Sequence, residues 1–431
     1  MSEVLENGQV VFTEQDEKRA SAYAGLRGMI PHKIMDDSTL HAAVGILHNP
    51  DFLNIIIDEL GKKIAGEHYA RTAIFLCACN IWVENSLQKT HVIVNSSSSA
   101  GKDHVTKAVF DLFPEGIKDY RSKITSETFS YWRTDKKSRE ENFTWDGRLL
   151  YLEDCSQTLL DSPTFRVMLS GGSKATVVRD QRAIDLHIPG RPTVMITTAT
   201  TMPSNELLNR FVPVSLEETQ CQTINVFRKE IELAMCVKAE YNPNVKAALL
   251  LLRKCRVKIP FAEHFLGLFP DKPVSMRREF ARFLSFIQNS AALYQFQRVK
   301  DADGYVLADW QDYDNAVYGF AGIDRNPVKL TKSQQRVLDC FSGDGWYLRS
   351  EIASMVGMDS SWVYRILLQL VEKGLISVRL DDTEAKSKAK QIFAKVVSVS
   401  QLPKSDVLIA KLPNNSDKIA KIADIVKRGG D

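Results

Sequence analysis

The stretch HVIVNSSSSAGKDHV, residues 91–105, decides how the rest of the chain is read. HVIV predicts a strand, the serines and Ala-Gly-Lys a tight loop, and the following DHVTKAVFDLF an amphipathic helix. Strand, loop and helix in that order are the setting of a phosphate-binding loop, whose backbone N–H groups converge on phosphate oxygens at a helix N-terminus. The usual form, G-x-x-x-x-G-K-[ST], begins with glycine and ends with a hydroxyl that ligates Mg²⁺. Here Ser96 stands first and Asp103 last. Ser97, Ser98, Ser99 and Ala100 are small enough for the backbone to wrap an anion, Gly101 allows close approach, and Lys102 brings the charge. A carboxylate at 103 can still ligate Mg²⁺, although it adds negative charge beside the phosphates. Taken alone, the stretch reads equally well as a solvated serine-rich linker.

A second motif gives the lysine a purpose. LLYLED, residues 149–154, predicts a buried strand that delivers two carboxylates at its C-terminal end, where the ligand crevice of a parallel sheet lies. In such a site one acid holds Mg²⁺ and the next polarises the attacking water. The order is Glu153 then Asp154, so Glu153 takes the metal side and the shorter Asp154 the water side. Most such motifs end Asp-Glu. Further on, PTVMITTAT predicts a strand ending in threonines, of which Thr198 is the first choice to orient the lytic water, with Thr197 and Thr200 as rivals. Arg210, in ELLNRF, reads either as a surface ion-pair residue or as an arginine finger offered to a neighbouring subunit.

The alternation of strands and helices over residues 90–215 predicts an α/β domain with a mostly parallel sheet. Residues 1–60 form a helical lead-in, 61–215 the nucleotide-binding core, 216–325 a helical lid, 330–399 a further module and 400–431 a polar tail. The chain has 431 residues, 44% hydrophobic and 25% charged, the composition of a folded protein of more than one domain. Its net charge of +3 is close to neutral, so any nucleic-acid role rests on local clusters. The seven cysteines contain no C-x-x-C pair and read as buried free thiols rather than zinc ligands. The first residues lack the apolar core of a signal peptide, and no apolar run is long enough to span a bilayer, so a cytoplasmic protein is expected.

With these motifs in order, the chain resembles an AAA+ ATPase, and among those the helicases of the minichromosome-maintenance type and their relatives on bacterial and phage mobile elements. The ordered set carries the resemblance: loop lysine, acidic strand, hairpin, polar strand end and ELLNRF. The segment PVSMRREFARFLSFIQNSAALYQFQR adds to it, resembling the second-sensor helix of the mobile-element proteins. That likeness implies ATP and Mg²⁺ as cofactors, a homo-oligomer of hexameric form, and Arg277 or Arg278 on the γ-phosphate, with Arg278 preferred. KATVVRDQRAIDLHI resembles the pre-sensor hairpin of those helicases, which implies that Lys174, Arg179 and Arg182 contact single-stranded or forked DNA. A structural hairpin with a solvated polar tip is the competing reading. No large DNA-binding tier, primase or zinc cluster precedes residue 45, which implies a separate primase or loader protein as partner.

Residues 331–398 follow a winged helix-turn-helix pattern. In SSWVYRILLQLVEKG, Ser360, Ser361, Tyr364 and Arg365 are placed to face DNA, Val363, Ile366, Leu367 and Leu370 to build the core, and Trp362 to do either. Lys386, Lys388 and Lys390 alternate along the wing and suit phosphate contact. Such modules also bind proteins, and fold analogy alone favours DNA.

Overall fold

The computed structural model describes residues 3–4, 10–11, 35–95, 101–125, 128–131, 144–179, 182–198, 210–237, 239–269, 276–323, 331–341, 345–372, 376–380, 391–395 and 402–411. The chain divides into two compact units, one of residues 1–261, 282–323 and 404–431, the other of residues 262–281 and 324–403.

In the first unit, β1 (Glu3–Val4) pairs with β2 (Val10–Val11). Three helices follow: α1 (Asp37–Leu47), α2 (Phe52–Gly61) and α3 (His68–Ala78). α1 starts where the Asp36 carboxylate accepts the Thr39 amide at 2.7 Å, an N-cap that satisfies an otherwise orphaned donor. Ala70 through Ala78 are all buried, Arg71 and Thr72 included: Arg71 reaches His68 Nδ1 at 2.8 Å and the Thr72 hydroxyl donates to the His68 carbonyl at 2.7 Å.

The sheet is built from β3 (His91–Asn95), β4 (Lys118–Arg121), β5 (Leu149–Leu152), β8 (Thr193–Thr198) and β9 (Phe211–Val214). Between them lie α4 (Lys102–Leu112), α5 (Thr128–Tyr131), α6 (Gln157–Leu160) and α7 (Pro163–Gly171), then β6 (Ser173–Arg179) and β7 (Arg182–Ile188). The spatial order is β4-β5-β8-β3-β9, and every neighbouring pair is parallel, as the strand and helix alternation predicts. β5 and β8 are buried at every position, the continuous apolar pattern of strands covered on both faces. One side is packed by Trp145, Leu150, Leu152, Phe165, Ile196 and Phe211. β6 and β7 form the expected antiparallel hairpin, in register from Ser173↔Ile188 to Arg179↔Arg182.

After the sheet come α8 (Gln220–Ala234), α9 (Pro243–Leu251), β10 (Val257–Lys258), α10 (Met276–Leu293), β11 (Val306–Leu307) and α11 (Trp310–Ala321). The Tyr241 hydroxyl donates to the Ala108 carbonyl of α4 at 2.8 Å, which joins this region to the core. α8 buries only Gln222, so Cys221 and Cys236 are exposed, unlike the buried Cys77, Cys79 and Cys155.

The second unit contains α12 (Lys332–Asp339), β12 (Tyr347–Leu348), α13 (Arg349–Val356), α14 (Ser360–Glu372), β13 (Ile376–Leu380) and β14 (Gln391–Lys395). Its strands make a three-stranded antiparallel sheet in the order β12-β14-β13. Val363, Ile366, Leu367 and Leu370 enter its core as expected, and Trp362 packs against the same cluster. Among the described residues, no helix is long and apolar enough to cross a membrane.

Candidate nucleotide site

Gly101 enters α4 with φ +78°, a left-handed conformation that costs glycine nothing and most residues a strain. Lys102 is the first helical residue and is 4% exposed. Its Nζ lies 3.3 Å from Asp103 Oδ2, while Asp103 Oδ1 is buried without a hydrogen-bond partner among the described residues. A buried cation and an orphaned carboxylate oxygen at a helix N-terminus are the groups that would face, respectively, a phosphate oxygen and a largely hydrated Mg²⁺ ion. Ser96, Ser97, Ser98, Ser99 and Ala100 lie outside the described residues.

The acids gather at the same end of the sheet. Glu153 follows β5 and donates its amide to the Arg121 carbonyl at 3.0 Å. Asp154 then turns into positive φ, +45°, a conformation that Asp tolerates better than most residues. The turn is fastened to β8: the Asp154 amide donates to Thr197 Oγ1 at 3.0 Å and the Cys155 amide to the Thr197 carbonyl at 2.8 Å. Thr198, paired with Asn95 at the end of β3, donates from its hydroxyl to the Cys155 carbonyl at 3.5 Å. Both threonines are fully buried. Since β8 lies between β3 and β5, they stand between the loop and the acids, with Thr197 the one bonded to Asp154. Thr200 lies outside the described residues.

Sequence reasoning missed Tyr120. Its hydroxyl donates to Glu153 Oε2. That bond pushes the phenol up to about 12, with burial and the charges of Glu153, Asp103 and Asp111 adding to it. Asp103 and Glu153, the two expected metal ligands, thus act on one hydroxyl. The register Tyr120↔Tyr151 places this side chain beside the acidic strand, but nothing in KDYR marks it as more than an edge-strand tyrosine. A cleft of about 390 Å³ opens between Arg121, Lys123, Glu153 and Asp154. Among the described residues there is no group of three or more His, Cys, Asp or Glu able to hold a metal. Asp103 and Glu153 would instead hold Mg²⁺ together with phosphate and water oxygens, the ion's usual manner.

Arg210 is elsewhere. It immediately precedes β9, and Phe211 pairs with His91 at the start of β3, so Arg210 sits at the end of the sheet opposite the loop. The length of β3 alone puts roughly 15 Å between those ends. Its guanidinium donates to Ser170 Oγ and, at 3.4 Å, to the Arg166 carbonyl. Nearby, His91 Nδ1 accepts the Val194 amide at 3.1 Å, which leaves Nε2 to donate to the Leu169 carbonyl at 3.3 Å. Burial, followed by Lys89, Arg191 and Arg210, lowers this imidazole to about 3, so it stays neutral.

Arg277 and Arg278 are exposed on the first turn of α10, in the part of that helix belonging to the second unit. Arg282 is buried and donates to the Phe211 carbonyl at 2.6 Å. Gln297 and Arg298, in the aromatic-Gln-Arg end of the same segment, hold structure: Gln297 donates to the Leu47 and Asn49 carbonyls, and Arg298 makes a bidentate bridge to Asp312 at 2.7 and 2.8 Å. Of the expected DNA contacts, Lys174, Arg179 and Arg182 lie on the hairpin strands. Arg365 is exposed, and Tyr364 carries the Arg349 guanidinium 5.3 Å from its ring centre. Lys386, Lys388 and Lys390 lie outside the described residues.

No curated protein matches the chain significantly. Residues 37–243 match the family model described as MTBMA_p00010 P-loop domain. That span holds β3, the loop lysine, the acid turn and the whole parallel sheet. Taken with the geometry at Gly101 and Lys102, the match supports a P-loop fold over residues 37–243, consistent with an NTPase.

Proposed function

We propose that the chain is an AAA+-type ATPase of the minichromosome-maintenance-like group, working as a ring of identical subunits, hexameric by family likeness, that couples ATP hydrolysis to movement along DNA in the replication of a mobile element or phage. The observation that carries this reading is the separation of Arg210 from the site it would serve. Lys102, Asp103, Glu153, Asp154 and the threonines of β8 lie at one end of the sheet, and Arg210 lies at the other, beyond reach of its own loop. A head-to-tail neighbour would bring its Arg210 to that loop, and heterologous contacts of this kind form rings where the rotation between subunits closes.

In this mechanism Lys102 and the backbone N–H groups at the start of α4 hold the β and γ phosphates. Asp154, fixed by Thr197, orients the water that attacks the γ-phosphorus. The bond to the β–γ bridging oxygen breaks, ADP leaves, and the water's proton passes to the carboxylate or the released phosphate. Tyr120 holds Glu153 in the orientation needed to share a bound Mg²⁺ with Asp103, an ion that would offset charge on the phosphates. The hairpin supplies the grip on DNA, and the second unit serves as a winged helix that meets DNA through Arg365 and the wing lysines.

A nucleotide-dependent DNA-binding initiator or regulator that does not unwind is the second reading. The proximity of Lys102 and Asp103 favours it, because the carboxylate competes with phosphate for the lysine. ATP turnover with and without single-stranded DNA, and strand displacement on a fork, separate the two. A translocase is stimulated by DNA, loses turnover in Lys102→Ala, and recovers part of it when Arg210→Ala is mixed with Lys102→Ala. Nucleotide binding with no turnover under any DNA condition would sink the translocase reading.

A further inference from the structure

The end of the sheet opposite the nucleotide loop carries, besides Arg210, cations that ATP chemistry does not use. Lys89 precedes β3, Lys118 opens β4, Arg148 precedes β5, Arg191 precedes β8 and Arg210 precedes β9. Parallel strands bring all these positions to one edge. Lys118 and Arg148 have acidic neighbours, Glu115 at 2.7 Å and Asp119 at 3.5 Å.

Lys89, Arg191 and Lys254 are gathered differently, about the Asp146-Gly147 turn. The Arg191 amide donates to Asp146 Oδ1 at 3.2 Å. Lys254 rests against the Asp146-Gly147 turn so closely that a Cβ on Gly147, where φ is +76°, would stand 2.3 Å from its Cε and 3.0 Å from its Nζ. Lys89 interacts electrostatically with all three, and its ammonium is lowered to about 8, first by burial and then by Arg191 and Lys254. Among the described residues Asp146 is the one carboxylate that acts on Lys89, and one carboxylate does not offset three cations; a like-charge cluster held in place is a site awaiting an anion.

The cluster is also the root of the hairpin. Arg191 follows β7 by three residues and donates through its guanidinium to the Ser170 carbonyl at 3.3 Å, and Ser170 lies just before β6. The hydroxyl of the same serine accepts from Arg210. A row of cations along successive strands, continuous with a hairpin, matches an extended polyanion better than a single triphosphate.

We propose that Lys89, Arg191 and Lys254 form a binding site for the phosphate backbone of single-stranded DNA, continuing the track of the β6–β7 hairpin across the edge of the sheet. This rests on the reading that the chain acts on DNA. Its test is the anisotropy of a fluorescein-labelled poly-dT oligonucleotide titrated with the full chain, without nucleotide, over a series of salt concentrations. Replacing all three residues with glutamine is expected to weaken binding at least about tenfold at moderate salt and to reduce the slope of log K against log salt by about two. Lys89→Gln with Lys254→Gln, which leaves the Arg191 bond to Ser170 in place, gives an intermediate loss. The charge-keeping set Lys89→Arg, Arg191→Lys, Lys254→Arg binds within about threefold of wild type, within the scatter expected of sequence-independent phosphate contacts.

Unchanged affinity and slope in the glutamine variants overturn the proposal. So does intact DNA affinity with lost ATP turnover, which would give the cluster to a neighbour's nucleotide, and so does a wild-type chain that binds no DNA. DNA binding that depends on the cluster, alongside an ATPase that DNA does not stimulate, upholds the site and sinks the translocase instead.

Discussion

The amide of Asp154 donates to Thr197 Oγ1 at 3.0 Å, and this one bond joins the acidic turn to the polar end of the neighbouring strand. Asp154 stands at positive φ there, so the bond holds a backbone conformation that the residue does not favour alone. Any shift at the end of β8 is passed to the carboxylate. Thr197 is on this view a positioning residue, acting through Asp154.

Thr197→Val keeps the shape of the buried side chain and removes the acceptor. An unsatisfied buried amide costs about 1–3 kcal/mol, so turnover is expected to fall about 10- to 100-fold as the turn relaxes, with nucleotide affinity within about threefold of wild type. Thr198→Val, which removes only a 3.5 Å bond to the Cys155 carbonyl, is expected to cost less. Steady-state ATPase assays with parallel nucleotide titrations check both. The opposite ranking would make Thr198 the residue that orients the water.

Asp103→Ser or Asp103→Thr restores the usual hydroxyl and removes the carboxylate 3.3 Å from Lys102 Nζ. ATPase activity is expected to be kept or raised, with tighter nucleotide binding because the lysine no longer has an internal anion. Activity measured against Mg²⁺ concentration tests this. A complete loss would give Asp103 a role that a hydroxyl does not share.

The parallel sheet, hairpin and loop helix were legible in the sequence because each rests on a local pattern: a short apolar run, a turn between β-rich segments, or glycine and lysine before a helical periodicity. The acids were legible as an ordered pair after a strand. Tyr120 was not, since its role comes from lying beside Tyr151 in a neighbouring strand, a long-range fact that no local pattern in KDYR carries. The cluster around Asp146 was hidden for the same reason, with Lys89, Asp146 and Arg191 far apart in the chain and brought together by parallel strands, and Lys254 added from the segment after α9. Arg298 shows the converse: read as the end of a sensor helix, its side chain is 6% exposed and bonded to a buried aspartate, which its sequence neighbours do not disclose.

The Arg298–Asp312 bridge is buried on both sides, and Asp312 also accepts from Ser290 at 2.7 Å. Removing one member leaves a buried charge, so Arg298→Met is expected to cost about 3–5 kcal/mol in urea denaturation. Arg278→Met, at an exposed position, is expected to stay within about 0.5 kcal/mol. On the proposed function Arg278→Met lowers turnover all the same. A stable Arg298→Met variant would show that the bridge adds little to the fold.

Glu67 offers a pH test of how the start of α3 is joined to the sheet. The residue is left-handed, with φ +54°, buried, and its carboxyl accepts the Glu217 amide just beyond β9 at 3.0 and 3.3 Å. Burial pushes its pKa up to about 7, the Glu217 charge adds to this, and the Glu217 amide and Arg71 oppose it. A carboxyl raised on folding binds its proton more tightly in the folded chain, so its contribution to stability is full below the ordinary value near 4.5 and is lost as pH rises through about 7. Wild-type Tm is therefore expected to fall between pH 5 and pH 8 by more than that of Glu67→Gln, whose amide oxygen can still accept from Glu217 but cannot ionise. The variant should be the more stable of the two at pH 8 and close to wild type at pH 5. Parallel Tm curves over that range would mean that Glu67 reaches water and does not couple the α3 start to the strand.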